Sequence, residues 1–169
     1  MRALILFILC AFTTSAWCAS PSLVEVRELY KKATQDEASC EKLIELLRPY
    51  TENNNTLLAG YKACATIVMA KHVFNPATKM SRFSEGRQLL EKCIAADKNN
   101  IELRFLRFAV QTKSPSFLNY KSAVKEDKQI ILTLLNHVTD IHLRQIIISF
   151  MKDSDELTPE EKKRITSKS

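Results

Sequence analysis

Glycine is almost absent from this 169-residue chain, which contains only Gly60 and Gly86. A glycine-rich loop that cradles a phosphate, or a serine nucleophile on a glycine-flanked turn, therefore has no matching segment. The HExxH pattern of zinc peptidases is also missing, and no stretch shows the alternation of polar and apolar residues that marks a half-buried β-strand. These absences disfavour the common cofactor-binding and hydrolase classes, so we predict no cofactor and no catalytic residue.

Cysteine and histidine are scarce as well. Beyond the N-terminal segment only Cys40, Cys64 and Cys93 remain, and no two of them have the CxxC spacing of a redox pair or a zinc knuckle. These cysteines fit either small buried core residues or a single disulfide, for which we favour Cys64 with Cys93 because their helices are predicted neighbours. His137 and His142 lack the spacing of three or four that places two ligands on one helical face. We therefore predict no metal site.

An uncharged apolar stretch follows Arg2 and runs from Ala3 to Trp17. It is shorter than the roughly 20 residues that cross a bilayer, and it ends in the pattern of a cleaved secretory signal peptide. Small side chains at the last and third-last positions favour cleavage after Cys18, with cleavage after Ala16 as the alternative. We predict a periplasmic or secreted protein without a transmembrane anchor. Lipid attachment through Cys18 is disfavoured because the bulky Trp17 precedes it.

The charge of the chain is mildly basic, with a net value of +6 that is spread along the whole length. A nucleic-acid-binding protein would show a clustered basic stripe, so we predict no nucleic-acid partner. We expect a signal peptide over residues 1–18, a single helical domain over 19–157 and a short charged C-terminal helix over 158–169. The last begins with the capping box of Thr158 and Glu161, with Pro159 between them.

Apolar residues recur at spacings of three and four along this domain, which predicts roughly eight amphipathic helices. Asp36 and Asn100 are candidate N-caps, and Asn75-Pro76 should separate two long helices. Ser114-Pro115 is in the cap-then-proline order of a helix start and predicts a helix with Phe117 and Val124 on its face. Asp127 should open the next helix. We expect this helix and the one after Asp140 to be the most buried.

The helix that ends near Ala96 carries a further pattern. It shows an aromatic, a small, a bulky and a small residue at helical spacing, followed by a turn rich in Asn: Phe83, Gly86, Leu90, Cys93, Asp97, Asn99 and Asn100. This resembles the second helix of a tetratricopeptide repeat and its turn, over about Leu57 to Val110. The resemblance implies stacked antiparallel helical hairpins, a family arrangement that mostly presents a concave surface to peptides or proteins.

Arg104 and Arg107 are one turn apart in the sequence Arg104-Phe-Leu-Arg107-Phe108, and they are our candidate binding residues. Their planar guanidinium groups could hold a carboxylate or a phosphate. The alternative is that they form ion pairs with acids such as Glu102 or Glu126 while the aromatic residues fill the core.

For the whole chain we predict an exported helical scaffold that binds a protein or peptide partner in the cell envelope. The alternative function is a closed helical bundle that binds a small apolar or anionic ligand, and a hydrolase is the third. An open groove would favour the scaffold over the closed bundle, which needs an internal cavity.

Overall fold

The computed structural model describes residues 20–167, so the predicted signal peptide lies outside the described residues. The described part is helical throughout and contains no β-strand, which confirms the all-α prediction of roughly eight helices. None of its helices is both long enough and apolar enough to cross a membrane. The helices are α1 (Leu23–Ala33), α2 (Glu37–Leu46), α3 (Thr56–His72), α4 (Pro76–Ala96), α5 (Ile101–Lys113), α6 (Val124–Leu134), α7 (Ile141–Lys152) and α8 (Pro159–Thr166).

The helices pack as four consecutive pairs, α1 with α2, α3 with α4, α5 with α6, and α7 with α8. The odd-numbered helices also contact one another in order, α1 with α3, α3 with α5, and α5 with α7. We call these four helices the inner layer. They run in the same direction. Glu102 at the start of α5 and the N-cap Asp140 of α7 both bind Arg27, and further along the same two helices Lys113 lies over the Phe150 ring. The ends of α1 and α3 meet where His72 contacts the Ala33 carbonyl.

Gly86 allows the close approach of α4 to α3, which is the most extensive helix contact in the structure. A Cβ at this position would lie 2.5 Å from the backbone oxygen of Ala63 and 2.9 Å from the backbone nitrogen of Ile67. Phe83, Leu90 and Cys93, on the same face of α4, are buried. The pattern of small and bulky residues from Phe83 to Cys93 therefore marks the buried face of α4, where Gly86 lets the helix approach α3.

Two hydrophobic clusters fill the interior, and α5 contributes to both of them. Leu103, Leu106 and Val110 belong to the cluster formed with α1 to α4. Phe105 and Phe108 belong to the cluster formed with α6, α7 and α8. Every residue of α5 from Glu102 to Phe108 is buried, because neighbouring helices cover this helix on opposite faces.

The prediction of a helix that starts at Pro115 is wrong. Only a 3₁₀ turn, Ser116–Leu118, follows α5, because Asn119 adopts a left-handed conformation with φ of 46° that stops helical propagation. The chain then turns inward at Tyr120, and α6 begins at Val124 instead. Asp127, predicted to open a helix, lies inside α6 and is completely buried.

The prediction that α6 and α7 are the most buried helices is also wrong. The most buried helices are α3 and α5, whereas only Leu143, Ile147 and Met151 of α7 are buried. The predicted caps at Asp36 and Asn100 are confirmed, since each side chain accepts a hydrogen bond from a backbone N–H of the helix that it starts.

The C-terminal helix α8 is anchored rather than extended into solvent. The predicted capping box is present, with Thr158 and Glu161 bonded to each other's backbone N–H. Ile165 is buried in the second cluster, and Lys128 of α6 binds Glu161 at 3.1 Å.

We expect Gly86→Ala to lower the free energy of unfolding by about 2 kcal/mol, because the new methyl group would push against the backbone of α3. Gly60→Ala is the matched control, since the nearest atoms to its Cβ belong to the Leu103 and Leu106 side chains and not to a backbone, so its effect should be smaller. Urea denaturation of both variants measures the difference. Equal midpoints for the two variants would contradict this account of the α3–α4 contact.

Candidate binding cleft

A cleft of about 1000 Å³ lies along the inner layer and is lined by all four of its helices, with the start of α4 and the Ser116–Leu118 turn at one side. Its floor is largely apolar and includes Ile67, Phe83, Leu106 and Val110. The lining also includes exposed apolar residues, Met80 at 51% and Phe117 at 80% exposure. The cleft therefore presents an apolar surface to solvent, a feature that usually marks a binding site.

At one end of the cleft a buried arginine is bound by two acidic residues. Arg27 of α1 donates two hydrogen bonds to Glu102 of α5, with Nε–Oε1 at 2.6 Å and Nη2–Oε2 at 2.8 Å. Its third donor binds the carboxylate of Asp140, the N-cap of α7, at 2.7 Å. Tyr61 of α3 donates its hydroxyl to Glu102 at 2.5 Å. We call these four residues the Arg27 network, and it joins all four helices of the inner layer.

Burial would lower the pKa of Arg27, but the hydrogen bonds to Glu102 and Asp140 offset this effect and raise the pKa overall. Burial, and then the charge of Glu102, raise the pKa of Tyr61 well above its usual value. The backbone N–H of Leu143 and the Arg27 guanidinium lower the pKa of Asp140. These shifts keep Arg27 charged, Asp140 ionised and Tyr61 protonated at neutral pH.

The opposite end of the cleft is basic. Lys31, Lys71 and Lys113 lie in the last turns of α1, α3 and α5, which end on the same side, and Lys79 lies near the start of α4. All four lysines line the cleft and are exposed. Within residues 20–167 none of them has an ion-pair partner, and Lys113 lies over the Phe150 ring at 5.7 Å.

Arg104 and Arg107, the predicted binding residues, do not line this cleft. Both are 6% exposed and lie between α5 and α6. Arg107 forms a two-pronged bond with Asp127, at 2.7 and 2.8 Å, and also binds Glu91 at 2.7 Å. Arg104 binds Asp127 at 3.1 Å and Glu126 at 2.9 Å, so the ion pair with Glu126 that the sequence left open is present. A ligand would have to displace a buried carboxylate to reach either side chain.

This second set of ion pairs is as tightly held as the Arg27 network. Burial would lower the pKa of Arg107, but the hydrogen bonds and charges of Asp127 and Glu91 outweigh it and raise the pKa. Tyr120 donates its hydroxyl to Glu91 at 2.6 Å, which extends the set to the segment before α6. These contacts join α4, α5 and α6. Because they occupy Arg104 and Arg107, the accessible feature of the inner layer is the cleft.

The remaining candidate residues are the three cysteines and two histidines. Cys40, Cys64 and Cys93 are free thiols and are all buried. His142 lies on the cleft and contacts Glu28 of α1 at 3.3 Å, while His137 is exposed in the 3₁₀ turn after α6. Within the described residues no three side chains of the metal-ligating types are grouped so that they could hold an ion.

No protein-family model, curated protein or solved structure matches this chain. The resemblance to tetratricopeptide repeats stays a prediction.

The residues that matter most at the cleft escaped sequence reasoning. Arg27 and Glu102 are 75 positions apart, and each alone reads as an ordinary surface charge. The four lysines are spread over α1, α3, α4 and α5, so that the chain shows no basic run. One local feature does point to the basic end of the cleft. Lys31, Lys71 and Lys113 each lie in the last turn of a helix, and the parallel arrangement of these helices brings the three lysines to the same side.

We expect Asp127→Ala to lower the free energy of unfolding by about 3–5 kcal/mol, because it leaves two buried guanidinium groups without their shared carboxylate. Glu126→Ala is the control. Its side chain is 60% exposed, and its loss should cost less than about 1 kcal/mol. Thermal and urea denaturation measure both. A small effect for Asp127→Ala would show that these arginines do not depend on it and are free for another partner.

We expect the three cysteines to be slow to alkylate in the native protein, because burial raises the pKa of Cys40 and Cys93 to about 11 and that of Cys64 further. After denaturation all three should react, as counted by intact mass. One reactive thiol of the three would instead reveal a disulfide, with Cys64 and Cys93 the predicted pair.

Proposed function

We propose that this protein is a non-catalytic binding module that holds an amphipathic helical segment of a partner protein in its inner cleft. The observation that carries the proposal is the open apolar cleft of about 1000 Å³, formed by the inner faces of α1, α3, α5 and α7. Together with the signal-peptide pattern from Ala3 to Trp17, it supports an exported scaffold, periplasmic or secreted.

The shape of the cleft supports a peptide rather than a small molecule. Small-molecule sites are commonly about 300–1000 Å³ and enclose most of their ligand. This cleft has a volume at the top of that range and leaves apolar side chains such as Met80 and Phe117 open to water. Flexible Met and rigid Phe side chains at such an edge suit a protein surface that has to pack against them.

The expected partner conformation is a helix. An extended peptide usually gains its main-chain hydrogen bonds from the edge of a sheet, and residues 20–167 contain no strand that could supply one. An amphipathic helix satisfies its own backbone and contributes one apolar face, which matches a largely apolar floor. A cleft between helices therefore favours a partner that is itself helical.

A display selection with random helical peptides tests this proposal. We expect the wild-type protein to enrich peptides with apolar residues at positions i, i+3 or i+4, and i+7, the pattern of one helical face. Ala109→Trp should abolish the enrichment, because Ala109 lines the cleft and the indole would project into the space that the peptide occupies. Ala95→Trp, at an exposed position of α4 outside the cleft, is the matched control.

Two results would overturn the proposal. The first is the absence of any apolar-striped peptide from the wild-type selection. The second is an Ala109→Trp protein that is folded by circular dichroism and still selects the same peptides as wild type. A fluorescent long-chain carboxylate that binds wild type but not Ala109→Trp, in the absence of peptide binding, would favour the small-ligand alternative.

A further inference from the structure

The charges along the cleft are unequal at its two ends. The Arg27 network contains one guanidinium and two carboxylates, and Glu28 beside it contacts His142, so this end has no excess of positive charge. At the other end, four exposed lysines face the cleft, and among residues 20–167 Asp153 is the one acidic residue that lines it there. The described part of the chain thus leaves an excess of positive charge at one end of an otherwise apolar cleft.

Helix dipoles explain three of these lysines but not the fourth. Lys31, Lys71 and Lys113 lie in the last turns of their helices, where a cation is favoured by the negative end of the dipole. Lys79 lies four residues after the N-cap Asn75, near the positive end of α4, where a cation gains nothing from the helix. Its position beside the other three favours a negative charge supplied from outside.

From this charge distribution we infer that the helix held in the cleft is acidic, with its carboxylates against Lys31, Lys71, Lys79 and Lys113. The inference rests on the proposed function and names the chemistry of the partner. From Phe105 to Lys113, the cleft follows α5 for about 12 Å, or roughly two helical turns. The partner therefore has two turns with an apolar face and Asp or Glu residues at the adjoining end.

The apolar floor favours a peptide over a membrane as the source of these acidic groups. A flat lipid surface could contact the exposed Met80 and Phe117 at the edge of the cleft but could not reach its floor. Leu106 and Val110 are recessed there, at 1% and 7% exposure, and the exposed lysines line the same cleft. A recessed apolar floor with charges at one end accommodates an inserted helix better than a flat lipid surface.

The test uses the apolar-striped peptides selected by the wild-type protein. We expect Asp and Glu to be enriched at one end of these peptides. A quadruple variant with Gln in place of Lys31, Lys71, Lys79 and Lys113 should bind the acidic peptides roughly tenfold more weakly at low salt, and its affinity should depend less on salt. Fluorescence anisotropy with labelled peptides measures both properties.

The control is a second quadruple variant with Gln in place of four exposed lysines outside the cleft, Lys42, Lys92, Lys121 and Lys125, which loses the same net charge. It should bind the acidic peptides like wild type. Charge reversal gives a sharper measurement, since Lys→Glu at the four cleft positions should select peptides with Lys or Arg at that end.

Failure of this inference is distinguishable from failure of the proposed function. Striped peptides without an acidic preference, bound equally by wild type and the cleft-lysine variant, would overturn the acidic partner and leave the helix-binding function standing. No striped peptides at all would overturn both. Binding to phosphatidylglycerol vesicles that depends on the four lysines but survives Ala109→Trp would assign them to a lipid surface instead.

Discussion

The bond between Arg27 and Glu102 determines how the inner helices meet. Both side chains are almost fully buried, and neither charge could stay there without the other. The same pair binds Tyr61 and the Asp140 cap, so that α1, α3, α5 and α7 are held together at one point. The separation and direction of these helices, and therefore the width of the cleft between them, depend on this one charged group.

The two ends of the cleft differ in charge, and this difference gives the cleft its direction. At the Arg27 network the guanidinium is already bound to two carboxylates, so an incoming acidic group finds no unpaired cation there. At the ends of α1, α3 and α5 the lysines add positive charge, and the largely apolar floor lies between the two regions. In the proposed function, the apolar area supplies affinity and the charge selects which way round the occupant lies.

Short-range features of this chain could be predicted from sequence, and long-range ones could not. Caps at Asp36, Asn100 and Thr158 depend on residues within three positions, as does the proline that starts α4, and all are present. The predicted helix at Pro115 failed because the local signal is correct for a helix start, yet Asn119 ends the turn in a left-handed conformation.

Prediction of the candidate site from sequence has the same limit. The basic–aromatic pattern around Arg104 and Arg107 lies on α5, which is the central helix because it packs into both hydrophobic clusters. However, periodicity cannot show that Asp127 would be buried between these two arginines. Nor can it show which separate lysines share a side, because that depends on the parallel arrangement of helices far apart in sequence.

The position of α5 between two hydrophobic clusters has a consequence for how the chain can be divided. Helices α1 to α4, with Leu118 and Tyr120 from the segment after α5, cover one of its faces, and α6 to α8 cover the other. A fragment that stops after α5 would expose Phe105 and Phe108, whereas one that starts with α5 would expose Leu103 and Leu106. Neither half can shield this helix alone, so the hairpins do not behave as interchangeable units that could be added or removed one at a time.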